Sequence, residues 1–264
     1  MDPTNPYAAT KAGAEFLVKA YHKSFGLPTI ITRSNNVYGP HQYPEKLIPK
    51  FINQILRGQQ CTLHGDGSNT RNYLYVTDVA AAFDTILQKG QVPNVYNISS
   101  PCEKSNADVT RSLLHLMGKV SPVEPPADAP SSPPLGACAE SARVDNGDNS
   151  SPSQQQAAAL DAPIPTAVWD AHVQHVDDRP FNDLRYHLDG SRLADMGWAA
   201  QVSWEQGLSD TVRWYAKHTQ HWESIDSALV AHPRHGLTEQ DVRGEVPAEA
   251  RAPEEGDSSM AAAT

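Results

Sequence analysis

The sequence has little that marks a secreted or membrane protein. Its three cysteines, Cys61, Cys102 and Cys138, are scattered and odd in number, which speaks against a disulfide framework or a zinc site and for reduced thiols. No apolar run reaches membrane-spanning length and no secretory apolar region follows Met1, so a cytoplasmic chain without membrane contact is expected. No Gly-x-x-Gly-x-x-Gly or Gly-x-Gly-x-x-Gly stands anywhere, so the turn that seats a dinucleotide pyrophosphate at a helix N-terminus is not in this sequence. Large apolar residues are scarce in two stretches, 120–171 and 223–264, which are rich in Pro, Ala, Ser and Gln or in acids. Neither can bury enough surface to offset backbone ordering, and both are expected to be disordered.

The formal net charge of −10 belongs to those stretches. Residues 120–171 hold seven acids and one base, and 223–264 hold nine acids and three bases, leaving 15 acids against 17 bases elsewhere. A slightly basic remainder suits an anionic small molecule, and nothing in it points to nucleic acid. His218/His221 and His232/His235 have a spacing that permits metal binding on a helix, but with no third ligand near they read as solvated surface.

What is present begins at once. Asn5 is a good N-cap and Pro6 suits the first helical position, while Gly26 and Pro28 end the helix. Tyr7 and Lys11, four residues apart, share one face of it. A lysine ammonium near a phenol favours the phenolate, lowering a pKa that starts near ~10. Such a pair can take a proton from a substrate hydroxyl while a nicotinamide accepts the hydride. Further along, Thr29–Thr32 with Val37 reads as a buried strand delivering Ser34, Asn35 and Asn36 to its C-terminal end. An amphipathic helix spans Leu47–Leu56, stopped by Gly58. Cys61–His64 is a strand, Gly65–Asn69 a turn, Tyr73–Val76 a strand, and Thr77 caps a helix to Leu87. Val95–Ser99 is a strand and Asn106 caps a helix ending near Gly118. Asp189 caps a short helix, and Ser203-x-x-Gln206 is a capping box opening another. Strands alternating with helices argue for α/β.

Four stretches carry a resemblance: Asn5-Pro-Tyr-Ala-Ala-Thr-Lys11, Thr32-Arg-Ser-Asn-Asn-Val-Tyr-Gly-Pro40, Tyr43-Pro-Glu-Lys-Leu-Ile-Pro49, and His64 through Asp78; it resumes at Asp178-Arg-Pro180 and closes at Gly197-Trp198 with the helix Ser203–His218. In order and spacing they resemble the C-terminal half of an extended short-chain dehydrogenase/reductase, in the nucleoside-diphosphate-glucose 4,6-dehydratase group, of dTDP-glucose or UDP-glucose type. The resemblance implies an incomplete Rossmann-like α/β fold lacking its N-terminal NAD-binding half, about 150 residues in a complete member. Residues 1–119 would be the C-terminal half of the dehydratase domain, 120–171 a disordered insertion, 172–222 a small substrate-binding lobe and 223–264 a disordered tail. The strand at Thr29–Thr32 would then have one unpaired, apolar edge. Complete members would be homodimers.

The resemblance also implies site residues. Tyr7 would be the base, and Lys11 its pKa partner and the anchor for the ribose of NAD. Arg71 would grip the diphosphate with a planar guanidinium, against a plain surface role. Arg179 resembles a second diphosphate or ribose contact, and Lys46 and Leu47 resemble substrate contacts at a helix start. Asn36 would hold the sugar nucleotide through an amide that both donates and accepts, with turn chemistry as its alternative. Asn106 matches a further contact but could serve as an N-cap, and Asn182 and Asp183 are weaker candidates. Departures stand at Phe181, where a small residue is common, and at His64, where an aromatic often stacks on the base. Three functions follow: a dehydratase part that is inactive alone, a nucleotide-sugar-binding or half-enzyme partner module, and a truncated copy without a role of its own.

Overall fold

The computed structural model describes residues 3, 5–120, 152–178, 184–185 and 187–230, all within one unit, Met1–Ala231. The expected contacts Arg179, Asn182 and Asp183, the pair His232/His235, Cys138 and the departure at Phe181 lie outside the described residues.

Local signals build the first helix as expected. Asn5 accepts from the Ala8 amide at 2.8 Å, Pro6 opens α1 (Pro6–Phe25), and Gly26 at φ 68° closes it. There follow β1 (Ile31–Ser34), β2 (Asn36–Tyr38), α2 (Leu47–Leu56), β3 (Cys61–His64) and β4 (Thr70–Tyr75). Next come α3 (Val76–Lys89), β5 (Val95–Ile98), β6 (Glu103–Ser105) and α4 (Asn106–Leu116). The rest is α5 (Pro152–Asp161), α6 (Thr166–His172), β7 (Val173–Val176), α7 (Ser191–Asp195), α8 (Trp204–Lys217) and α9 (Asp226–Leu229).

Three parallel pairings make this an α/β chain: β1 with β5, β2 with β4, and β3 with β7. β4 also pairs antiparallel with the short β6, so one sheet runs β2-β4-β6. Among the described residues β1 has a partner on one side only. One core gathers Ile48, Phe51 and Ile52 of α2, Leu63 of β3, Leu113 of α4 and Trp204 and Leu208 of α8. A second joins Val79 and Ile86 of α3, Tyr96 and Ile98 of β5 and Leu193 of α7. Neither described cysteine is in a disulfide and both are buried; burial pushes the Cys61 thiol up to about 12, so it acts as a small apolar residue.

Several expectations need correction. The strand Thr29–Thr32 is half-buried rather than buried and starts at Ile31. Tyr75, not Thr77, precedes α3. Gly190 takes the cap position of α7, while Asp189 accepts from the Ser191 amide. Ser203 caps α8, but the Gln206 side chain turns to Asp210, so half of that box forms. Ser105, not Asn106, caps α4, in a full capping box with Asp108. Residues 152–171, expected to be disordered, hold two helices. Lys104 bonds Asp161 at 2.9 Å, Leu160 is buried, and the Val173 strand lies parallel on β3, so tertiary partners order what composition leaves weak. Residues 223–230, also expected to be disordered, are ordered: Ile225 and Leu229 are buried, and the helix that ends at Leu229 packs on α2. That cover explains a further difference. α2 is amphipathic in its sequence, as expected, yet it is buried from Ile48 to Ile55 on all faces, because Lys50 donates to the Val230 carbonyl and Gln54 to the Leu229 carbonyl.

The capping box yields a test. Replacing Ser105 with Ala should cost about 1 kcal/mol of stability, read as a lower urea midpoint with an unchanged slope.

Candidate functional site

The turn Gly65–Asn69 gathers three of the six predicted substrate contacts that are described, His64, Arg71 and Asn106. Gly65 and Gly67 have φ 59° and 75°, and a Cβ on Gly67 would lie 2.8 Å from Leu63 and 3.2 Å from Ala107. Glycine is required there both for the turn and for the approach of α4. The Ala107 amide donates to the Gly67 carbonyl and the Asn106 amide to the Asn69 carbonyl, which seats the first turn of α4 on this bend. His64 ends β3 with its Nδ1 3.1 Å from the Asp177 carbonyl, which accepts. Arg71 stands opposite Lys104 across the β4–β6 pairing, and its Nη1 donates to the Thr70 carbonyl at 2.7 Å and towards that of Leu184. His64, Arg71 and Asn106 thus surround one turn.

Asn36 reaches the same sheet from the other side. It opens β2 opposite Tyr73, two residues along β4 from Arg71. A buried relay fixes it: Asn72 Nδ2 donates to the Ser100 carbonyl at 2.8 Å, and the Ser100 amide donates to Asn35 Oδ1 at 3.2 Å. This ties the end of β1 to β4. Lys46 and Leu47 stand at the start of α2, with Lys46 exposed and paired to Glu45 at 2.9 Å.

The Tyr7–Lys11 pair stands apart. Tyr7 is 73% exposed, Lys11 is exposed, and α1 buries no side chain. Among the described residues no hydrogen bond joins Tyr7 to Lys11, nor either of them to Asn36, Arg71 or Asn106. What ties α1 to β1 is Arg33, which grips Glu15 with two bonds of 2.6 Å. That bond, with the charges of Arg33, Lys19 and Lys11, holds the Glu15 carboxyl below its usual range against a desolvation cost. Sequence reasoning missed Glu15; its place four residues after Lys11 was the available signal.

Also missed was Glu103 on β6, beside Arg71. Arg185 grips it at 2.6 and 2.8 Å and Thr70 donates to it, so its carboxyl is held below the usual range. Burial opposes the same shift at Asp108, but bonds from Ser105 and Arg111 prevail and lower it too. His218 and His221 are exposed, as expected of surface residues, and both rings also pack on Trp214, at 4.8 and 5.0 Å.

Glu15, Glu103 and Asp108 share one direction, so their linkage has one sign. Each contributes stability that is whole above its unfolded pKa, near ~4 for a carboxylate, and is lost as pH falls through the lower folded value. The urea midpoint should therefore fall below about pH 4, and E103Q should fall less steeply there than the unchanged protein. Equal slopes would remove Glu103 from the account.

The NAD dependent epimerase/dehydratase family matches residues 1–99. A dTDP-D-glucose 4,6-dehydratase of Dictyostelium discoideum is 42% identical over 226 residues, 86% of this chain and 49% of that protein. A trifunctional UDP-glucose 4,6-dehydratase/UDP-4-keto-6-deoxy-D-glucose 3,5-epimerase/UDP-4-keto-L-rhamnose-reductase of Arabidopsis thaliana is 43% identical, over 88% of this chain and 28% of that protein. Among solved structures, the Streptomyces venezuelae dTDP-glucose 4,6-dehydratase with NAD bound matches with TM-score 0.63 and 33% identity, over 84% of this chain and 54% of the other. The chain spans about half the length of the dTDP-glucose dehydratases it matches.

Proposed function

From its membership of the NAD dependent epimerase/dehydratase family, among the nucleotide-sugar 4,6-dehydratases, we propose that this chain carries the nucleotide-sugar-holding part of such an enzyme together with its Tyr/Lys pair. The observation that carries this is the gathering of His64, Arg71 and Asn106 round the Gly65–Asn69 turn, with Asn36 two residues away in register. In this reading Arg71 holds the diphosphate. The Asn36 amide donates to and accepts from the sugar nucleotide, and His64 offers a flat ring to the base. Asn106 is released from capping by Ser105, which favours its role as a contact. Lys46 brings an ammonium to the start of α2, where the helix dipole also attracts an anion.

NAD fits in part. The exposed phenol and ammonium of Tyr7 and Lys11, on one face of α1, suit its ribose–nicotinamide end. No glycine-rich turn in the sequence suits its pyrophosphate. When bound, NAD would supply the hydride acceptor. Tyr7 would take the proton from the sugar hydroxyl, and Lys11 would stabilise the phenolate and hold ribose hydroxyls. The acid and base that eliminate water have no counterpart in the resemblance carried by these residues. We therefore read the chain as inactive alone. Homodimer formation and a cytoplasmic place belong to the same proposal; among the described residues no helix is long and apolar enough to cross a membrane.

A second reading is a binding or half-enzyme partner module. The observation that favours it is α1, whose Tyr7, Phe16, Leu17, Tyr21 and Phe25 are all exposed.

Calorimetry with dTDP and UDP tests the site. The chain should bind at least one of them, and R71A should weaken binding by about 10- to 100-fold, as loss of a charge-assisted bond predicts. Equal affinity in R71A removes Arg71 from the site. Incubation of the purified chain with NAD and either nucleotide-glucose should yield no 4-keto-6-deoxy sugar by mass spectrometry. A clear product would overturn the reading of a part-site.

A further inference from the structure

Three imidazoles meet one indole beside the loop that joins β2 to α2. His41, in that loop, has φ 65°, a conformation an L side chain keeps only where its surroundings impose it. The surroundings are the end of α8 and the residues after it. The His41 ring lies 4.4 Å from Trp214 and 5.0 Å from His221. The Tyr215 hydroxyl donates to the Gln42 carbonyl, and Tyr43 meets Trp222 edge-on at 5.2 Å. Three successive loop residues are thus held from one side. The same segment then runs on to cover α2 with Ile225 and Leu229, so clasp and cover are continuous. The clasp itself is none of the site residues, yet it grips the loop between two of them, Asn36 and Lys46.

We propose that His41 and His221 are positioning residues for the nucleotide-sugar site. With at most one of them charged they hold the loop that carries Lys46 and leads to Leu47; with both charged the clasp opens and the site weakens. The functional half rests on the proposed roles of Lys46 and Leu47, while the clasp itself does not.

The physics is short-range. One cation over an indole face is attracted to it, whereas two cations 5.0 Å apart repel. Imidazole gains charge by taking up a proton, so a fall in pH moves the pair towards double charge. The other titratable and charged groups on the packed segments are mostly engaged with one another or with the backbone. In the loop Glu45 pairs with Lys46, and Tyr43 meets Trp222. In α8 Asp210 pairs with Arg213, Tyr215 bonds Gln42, and Lys217 is exposed; His218 stacks on Trp214 and bonds its carbonyl. Beyond these stand exposed Glu223 and the Arg57–Asp226 pair, and Lys50 of α2 donates to Val230. Among the described residues no carboxylate forms an ion pair with His41, His218 or His221.

Hydrogen exchange of the full chain at pH 7.5 and 5.5, corrected for intrinsic rates, tests this in the unchanged protein, H221Q and H41N. Asn is chosen at 41 because it tolerates the left-handed region. Protection of residues 40–46 should fall at least tenfold at the lower pH in the unchanged protein and less than threefold in either variant. No pH effect, or an undiminished one in H221Q, overturns the clasp. Affinity for dTDP and UDP at both pH values, compared between the unchanged protein and H221Q, cancels protonation of the ligand phosphates. A larger loss in the unchanged protein supports the positioning role. Equal losses overturn it while leaving the nucleotide site intact. A loop that responds to pH in a chain that binds neither nucleotide overturns the positioning role and the site reading together.

Discussion

The double pairing of β4 is the constraint on which the candidate site depends. On one edge β4 runs parallel to β2, which puts Asn36 opposite Tyr73; on the other it runs antiparallel to β6, which puts Lys104 opposite Arg71 and Asn106 just past the pairing. Ladder hydrogen bonds fix these registers, and a slip of one residue would turn Arg71 to the other face. The Gly65–Asn69 bend and the buried Asn35–Ser100–Asn72 relay then lock the two ends of the sheet. Residues from three parts of the chain converge because one strand touches both neighbours.

The Tyr/Lys helix is held on a different scale. α1 buries nothing, and the Arg33–Glu15 grip is a partly exposed ion pair. Such pairs contribute roughly 0–1 kcal/mol, even when geometry is good. The proposed nucleotide site is built into a sheet while the proposed Tyr/Lys pair is tethered by little, which agrees with the proposal that this chain binds a nucleotide without turning it over.

What was legible in the sequence was local. Asn5, Pro6 and Gly26 bound their helix through their own backbone chemistry, and the α2 and β3 boundaries were read to the residue. What was hidden depends on distant partners. The Val173 strand exists because Cys61–His64 lies beside it, and β6 because β4 does. The polar face of the amphipathic α2, with Lys50 and Gln54, gave no sign that it is buried, because the carbonyls that satisfy it lie 175 and more residues away. For the site, Arg71, Asn36 and Asn106 were marked by motif, but their juxtaposition was not, since pairing register cannot be read from one strand. Glu15 was marked only by its place four residues after Lys11, and Glu103, without a motif, was invisible until Arg185 appeared beside it.

The central claim is that Asn36, His64, Arg71 and Asn106 form one nucleotide-diphosphate site. Amide chemical-shift mapping of the labelled chain, titrated with dTDP and with UDP, addresses it most directly. The account predicts that one ligand shifts a single connected set: the Gly65–Asn69 turn, the start of α4, Arg71 on β4 and Asn36 on β2. Shifts confined to other surfaces, or none with either ligand at millimolar concentration, would contradict it.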